Sequence, residues 1–196
     1  MKRLVLTLAL VVVFCAEGAF AAPKKGTMTD ARDGESFQTV KIGKQIWMAE
    51  NLKVKTEGSW CYEDKETNCQ KYGRLYNWDA AKVACPVGWH LPSKEEFEAL
   101  FVAVGGEDVA GKKLKSISGW EKNGNGDDAF AFSALPAGGR NYYGNYYREG
   151  DLAFFWSSTE YNSDNAYNMY LNFNFDYAYL DDYYKFNGFS VRCLKD

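Results

Sequence analysis

Histidine is almost missing from this chain: His90 is the one example in 196 residues. A zinc site needs several imidazoles or free thiols, and the carboxylates show no ligand-like clustering around it. His90 is therefore expected to be structural, with a ring nitrogen bonded to backbone. No Gly-x-Ser-x-Gly occurs, which removes the usual serine-hydrolase signature and leaves Ser157 and Ser158 as framework residues. Nor is there a basic cluster in a chain of formal net charge −3, so nucleic acid is not an expected partner. The run NGNGDD lacks the alternating ligands and closing Glu of an EF-hand, so it is taken as a loop, not a calcium site. Beyond residue 21 no apolar run is long enough to span a bilayer.

What is present begins with a leader. Lys2 and Arg3 precede an apolar run from Leu4 to Phe14, and Ala19-Phe20-Ala21 is a small-x-small cleavage pattern, so residues 1–21 are expected to be a secretory signal. The large Val13 and Phe14 before Cys15 speak against lipid attachment there. Residues 22–36 are polar and charged and are expected to be a flexible lead-in. A single domain over 37–196, outside the cytoplasm, is the expected remainder.

Four of the five cysteines lie beyond the leader: Cys61, Cys69, Cys85 and Cys193. An even count in an exported chain suggests two disulfides, with three possible connectivities. Cys61 and Cys69 flank a short polar segment that looks like a stapled loop, and Cys85 would then pair with Cys193.

The stretch YGRLYNWDAAKVACPVGWHLPSKEEFEAL, from Tyr72 to Leu100, organises the chain. Asn77 can cap a helix whose face carries Trp78, Ala81, Ala84 and Cys85, and Pro86 ends it. Ser93 and Glu96 form a capping box for a second helix, with Phe97, Leu100, Phe101 and Val104 at helical spacing and Gly105 as the stop. Around these helices the pattern has period two. Val40 and Ile42, then Ile46 and Met48, predict a hairpin turning at Gly43-Lys44. Phe130 and Phe132 alternate, and LAFFWSSTE suggests a buried strand. In AYNMYLNFNF, Tyr167, Met169, Leu171, Phe173 and Phe175 should face a core, with Asn168, Tyr170, Asn172 and Asn174 facing water. A last strand carries Phe189, Val191 and Cys193. Two helices against several antiparallel strands predict an α+β domain.

These motifs, with GKKLKSISGW, FSALPAGGR, FWSSTE and NGFSVRC, resemble the bacterial Fibrobacter succinogenes major paralogous domain, from about Phe37 to Asp196. The resemblance implies a C-type lectin-like fold, with two helices packed on a twisted antiparallel sheet among long loops. It also implies the same Cys85–Cys193 bridge. Superfamily members include carbohydrate binders, protein binders and formylglycine-generating oxidases, so fold membership alone does not fix an activity. Glu-Pro-Asn, Gln-Pro-Asp and Trp-Asn-Asp are all missing, which argues against calcium-dependent sugar recognition. An oxidase would need a reactive cysteine pair, and Cys61 with Cys69 is the only spare one. A glycosidase needs two carboxylates, for which Asp151 and Glu160 are two candidates among many.

Tyrosine supplies the strongest remaining signal. Most of the 14 tyrosines fall between Tyr142 and Tyr184, interleaved with Asn and Asp. Tyrosine offers a stiff amphipathic contact area, and Asn adds adaptable hydrogen bonds. The doubled pairs Tyr142, Tyr143, Tyr146, Tyr147, Tyr183 and Tyr184 lie outside clear alternation and are the expected ligand-binding residues. The expected protein is a non-catalytic, secreted or surface-displayed binding module for a carbohydrate or protein, with no cofactor. The alternatives are an enzyme of the two kinds above or a structural surface paralogue.

Overall fold

The computed structural model describes residues 23–196, and the leader expected over 1–21 lies outside them. Over the described residues the fold is α+β, with four α-helices, a short 3-10 turn at Tyr62–Asp64 and several small antiparallel sheets. Strands β1 (Lys24–Thr29), β2 (Ser36–Ile42) and β3 (Gln45–Met48) open the first sheet, followed by the short pair β4 (Ser59–Trp60) and β5 (Leu75–Tyr76). Helix α1 (Glu66–Tyr72) lies between β4 and β5, and α2 (Trp78–Ala84) comes next. After β6 (Trp89–His90) come α3 (Lys94–Val104) and α4 (Glu107–Leu114). The rest is β7 (Gly139–Arg140), β8 (Tyr146–Tyr147), β9 (Leu152–Glu160), β10 (Asn165–Asn172), β11 (Tyr179–Tyr184) and β12 (Leu194–Lys195).

The lead-in is corrected first. Lys24–Thr29 pairs antiparallel with β2 from Lys24 opposite Lys41 to Thr29 opposite Ser36. Its side chains are almost all exposed, so no apolar period marks it, and the strand is held mainly by backbone bonds, with Met28 alone packing against a core. In the hairpin, Gly43 takes the turn at φ 59°. Trp47 stands opposite Val40 and is fully buried with it, whereas Ile46 is only half-buried. Met48 enters a second core on the other face.

Both expected helices form with their caps. Asn77 Oδ1 accepts the Ala80 N–H at 2.9 Å, and Ser93 and Glu96 complete a capping box on α3. Phe97, Leu100, Phe101 and Val104 are buried against Val40, Ile42 and Trp47 on one side and Phe155, Met169 and Leu171 on the other. A second core gathers Trp78, Ala81 and Ala84 of α2 with Phe154, Trp156, Phe189, Val191 and Cys193. The sheet β9–β10–β11 is thus covered on both faces near β9, which explains the uninterrupted apolar run LAFFW.

The wet face expected on β10 is a correction. Asn168 is fully buried beside a bulge between Ala166 and Asn168, its Nδ2 donating to Asp181 O at 3.0 Å. β10 stops at Asn172, so Phe173 and Phe175 leave the alternation. Phe130 and Phe132 are buried but lie on no strand. Ala131 and Ser133 have φ of 54° and 53°, and Asp128 Oδ1 and Oδ2 hold the Ser133 N–H and hydroxyl at 2.7 and 2.6 Å. Helix α4 gave little sequence signal because only Ala110, Gly111 and Leu114 are buried. Gly111 is required there, since a Cβ would sit 2.3 Å from Tyr177 O.

Both disulfides form, Cys61–Cys69 and Cys85–Cys193. The second ties the end of α2 to the C-terminal segment, which runs extended through the molecule. Its backbone bonds to Tyr76, Phe154, Trp156, Leu52 and Met48 in turn, so little of it is regular strand. No helix among the described residues is long and apolar enough to cross a membrane.

Candidate ligand groove

β7 and β8 form a hairpin whose tip, Asn141–Asn145, carries the first tyrosine pair. Asn141 organises the tip: its backbone N–H bonds Asn145 O at 2.9 Å and its Oδ1 accepts the Asn145 N–H at 2.9 Å. Asn187 Oδ1 then accepts the Tyr142 N–H at 3.0 Å, fastening the hairpin to the turn after β11. An open groove of about 470 Å³ lies between them, lined by Tyr142, Tyr147, Tyr183, Tyr184 and the polar Asn141, Asn165, Asp182 and Asn187.

The six tyrosines divide between two faces. Tyr147 and Tyr183 form the inner wall, their rings 5.9 and 5.4 Å from Phe154, which anchors them to the core. Tyr142 and Tyr184 stand at the mouth, 5.3 Å apart at 73°. Tyr143 is the most exposed, at 74 %, with its ring 3.9 Å from that of Tyr142. Tyr146 points elsewhere, because consecutive residues of a strand face opposite ways. Its ring packs 5.2 Å from Tyr62, and its hydroxyl donates to Asp64 Oδ1 at 2.6 Å. Phe186, 61 % exposed and 5.2 Å from Tyr184, extends the rim.

Burial, helped by Tyr183, pushes the Tyr147 phenol well above its ordinary range, and burial followed by Asp181 raises Tyr183. Burial and then Asp64 bring Tyr146 up to about 12. These phenols are neutral donors at any physiological pH. Asp182 is the only ionisable carboxylate lining the groove, and its Oδ2 accepts from Asn165 Nδ2 at 2.7 Å. Among the described residues no Lys or Arg lines the groove. The Asn and Asp positions and Phe186 are additions to the tyrosines expected from sequence. The Phe-Asn-Gly turn after the third Tyr-Tyr pair was the available signal for Asn187.

The enzyme candidates are scattered. Asp151 precedes β9 and Glu160 ends it, roughly 30 Å apart by strand rise, too far to flank one glycosidic bond. They instead pair with Arg148 at 3.0 Å and Lys185 at 3.1 Å. Cys61 and Cys69 are bonded to each other with Arg74 Nη1 3.3 Å from both sulfurs, so they offer no thiolate pair. Among the described residues they also belong, with Glu66, to the only His/Cys/Asp/Glu group close enough to consider for a metal, and the disulfide uses up two of its three donors. His90 corrects the backbone expectation. Its Nδ1 lies 2.7 Å from Asp196 Oδ1 and its Nε2 2.9 Å from Glu96 Oε1.

An α+β chain with two disulfides and an open tyrosine-lined groove is the class these observations define. Residues 40–195 match the family model described as the Fibrobacter succinogenes major domain, and the chain belongs to that family. No curated protein matches the chain. No solved structure matches it either.

Proposed function

We propose that this protein is a non-catalytic binding module, working outside the cytoplasm, whose tyrosine groove takes a single neutral carbohydrate chain. The observation that carries this reading is a groove walled by four tyrosines and three asparagines with no cation in its lining. Aromatic faces pack against the C–H faces of sugars, amides meet hydroxyls, and the lack of Lys and Arg leaves no attraction for a polyanion. Ring geometry refines the ligand. Tyr142 meets Tyr143 at 39° and Tyr184 at 73°, so the rings form a cleft, not a flat platform. Such a cleft suits a soluble chain or chain end better than a crystalline polysaccharide surface.

The finer fold assignment is part of the same proposal: a C-type lectin-like domain. It is supported by α2 and α3 beside small antiparallel sheets and by the bridge from the end of α2 to the C-terminal segment. Secretion is supported by two disulfides, which persist in oxidising compartments.

A glycan array followed by calorimetry tests the function. Binding to a neutral oligosaccharide should weaken about tenfold or more in Tyr142→Ala and Tyr184→Ala, in line with loss of an aromatic anchor. It should persist in the presence of a chelator. The exposed Tyr142, Tyr143 and Phe186 also suit a protein partner, since Tyr-rich surfaces with Asn are effective protein-binding surfaces. No glycan binding, alongside a tight protein complex abolished by the same variants, would replace the carbohydrate with a protein.

A further inference from the structure

A second cavity, of about 340 Å³, lies where β1 and β2 meet the end of α1, and it shares no lining residue with the tyrosine groove. Its chemistry is the reverse of the groove's. Lys25, Lys53, Lys71 and Arg192 line it, against a single acid, Glu50. Glu50 is already engaged, accepting the Gln38 N–H at 2.7 Å.

Arg192 is fully buried. Its Nε donates to Asn51 Oδ1 at 2.6 Å, Nη1 donates to Met48 O at 3.2 Å and to Phe132 O, and Nη2 donates to Ser133 O at 3.0 Å. All four acceptors are neutral, whereas a guanidinium has five N–H groups. The fifth, on Nη2, has no acceptor among the described residues. Among the described residues no carboxylate comes within 4.0 Å of the group, and Asp128 and Glu50 act on it only through space. A buried cation without a counter-ion is costly, and a partner of opposite charge relieves that cost. Burial lowers the Arg192 pKa to about 9, so the group stays charged at neutral pH.

The rim can respond to an incoming anion. Lys53 and Lys71 hold surface ion pairs, to Glu35 at 3.0 Å and Glu149 at 3.7 Å, and lie over the Phe37 and Tyr72 rings at 5.6 and 4.3 Å, while Lys25 holds no ion pair among the described residues. Exposed pairs contribute about 0–1 kcal/mol and exchange readily. The geometry points to this cavity as a binding site for a small oxyanion-bearing molecule of monosaccharide size, held by the lysine rim above the Arg192 charge. The volume sits near the lower end of ligand pockets, which limits the size of the guest. Its oxyanion can be the carboxylate of a uronic acid or a sulfate or phosphate group, which share this chemistry.

The test is titration of the ¹⁵N-labelled protein with sodium glucuronate, sodium sulfate or glucose at matched ionic strength, following the Arg192 Nε–H resonance. A saturable shift with glucuronate or sulfate and none with glucose is expected, and the stronger of the two anions identifies the source. The triple variant Lys25→Gln, Lys53→Gln, Lys71→Gln should bind at least tenfold more weakly and lose most of the salt dependence. Tyr142→Ala should bind the anion unchanged, which separates this site from the groove. No saturable shift with either anion, an equal response to glucose, or undiminished affinity in the folded triple variant would each overturn the proposal.

Discussion

Tyr76 and Tyr142 are the same residue put to opposite uses, and the regions around them differ in the same way. Tyr76 is fully buried beside α2, with its hydroxyl donating to Val54 O at 2.7 Å and its carbonyl accepting Trp156 Nε1 at 2.7 Å. Around it, Trp78 Nε1 reaches Ser157 O at 2.8 Å and Cys85 is tied to Cys193. At the hairpin tip, Tyr142 is 51 % exposed and its ring meets only other tyrosines. The first region satisfies every aromatic polar tip inside the fold, and that completeness is what stability requires. The second leaves aromatic surface in water, the feature on which the proposed ligand groove rests.

Substitutions that cut each region separately sharpen this contrast. The largest loss is expected at Phe97, fully buried on α3 with its ring 5.4 Å from that of Trp47. Phe97→Ala should cost about 3–5 kcal/mol in denaturant unfolding, through lost transfer energy and the cavity left behind. Opening the bridge with Cys85→Ser and Cys193→Ser should cost roughly 2–5 kcal/mol, since it closes a sequence separation of 108 residues. At the groove the ranking reverses. Tyr142→Ala should change unfolding stability by no more than about 0.5 kcal/mol while removing most glycan affinity. A loss of 2 kcal/mol or more there would erase the distinction between the regions.

The same contrast decided what could be read in advance. Helices α2 and α3 were legible because their caps, stops and apolar spacing are local: Asn77, Ser93, Glu96 and Gly105 each act within a few residues. β1 was not, because an edge strand with exposed side chains needs no apolar period, only the free backbone of β2. Asn168 failed for a different reason. Its burial follows from a bulge and from the proximity of Asp181, neither of which its own neighbours in sequence encode. Of the doubled tyrosines, Tyr142, Tyr147, Tyr183 and Tyr184 come together in one groove. Tyr146 turns away from Tyr147 because the two alternate within β8, while Tyr183 and Tyr184 both line the groove from the last two positions of β11 and Tyr142 and Tyr143 sit in the hairpin tip. Asn165 and Asp182 reach the groove only through the pairing of β10 with β11.

The smallest effect tests whether the stable region also senses pH. His90 touches carboxylates through both ring nitrogens, Asp196 at 2.7 Å and Glu96 at 2.9 Å. A carboxylate only accepts, so satisfying both contacts requires a proton on each nitrogen, which is the imidazolium. Burial alone would lower the His90 pKa, but the hydrogen bonds it donates to Asp196 and Glu96 outweigh it and the folded value rises above the ordinary 6.5. Raised in the folded state, the group contributes its full stabilisation below the unfolded pKa and loses it as pH climbs through the folded one. Tm should therefore fall between mildly acidic and mildly alkaline pH, and His90→Gln should flatten that slope. With His90 39 % and Asp196 61 % exposed, solvent screens the contacts, so the slope should be shallow and shrink further in high salt. An unchanged slope in His90→Gln would place the pH response elsewhere and leave the Glu96 capping box and the Lys94–Glu98 pair as the electrostatic devices at the start of α3.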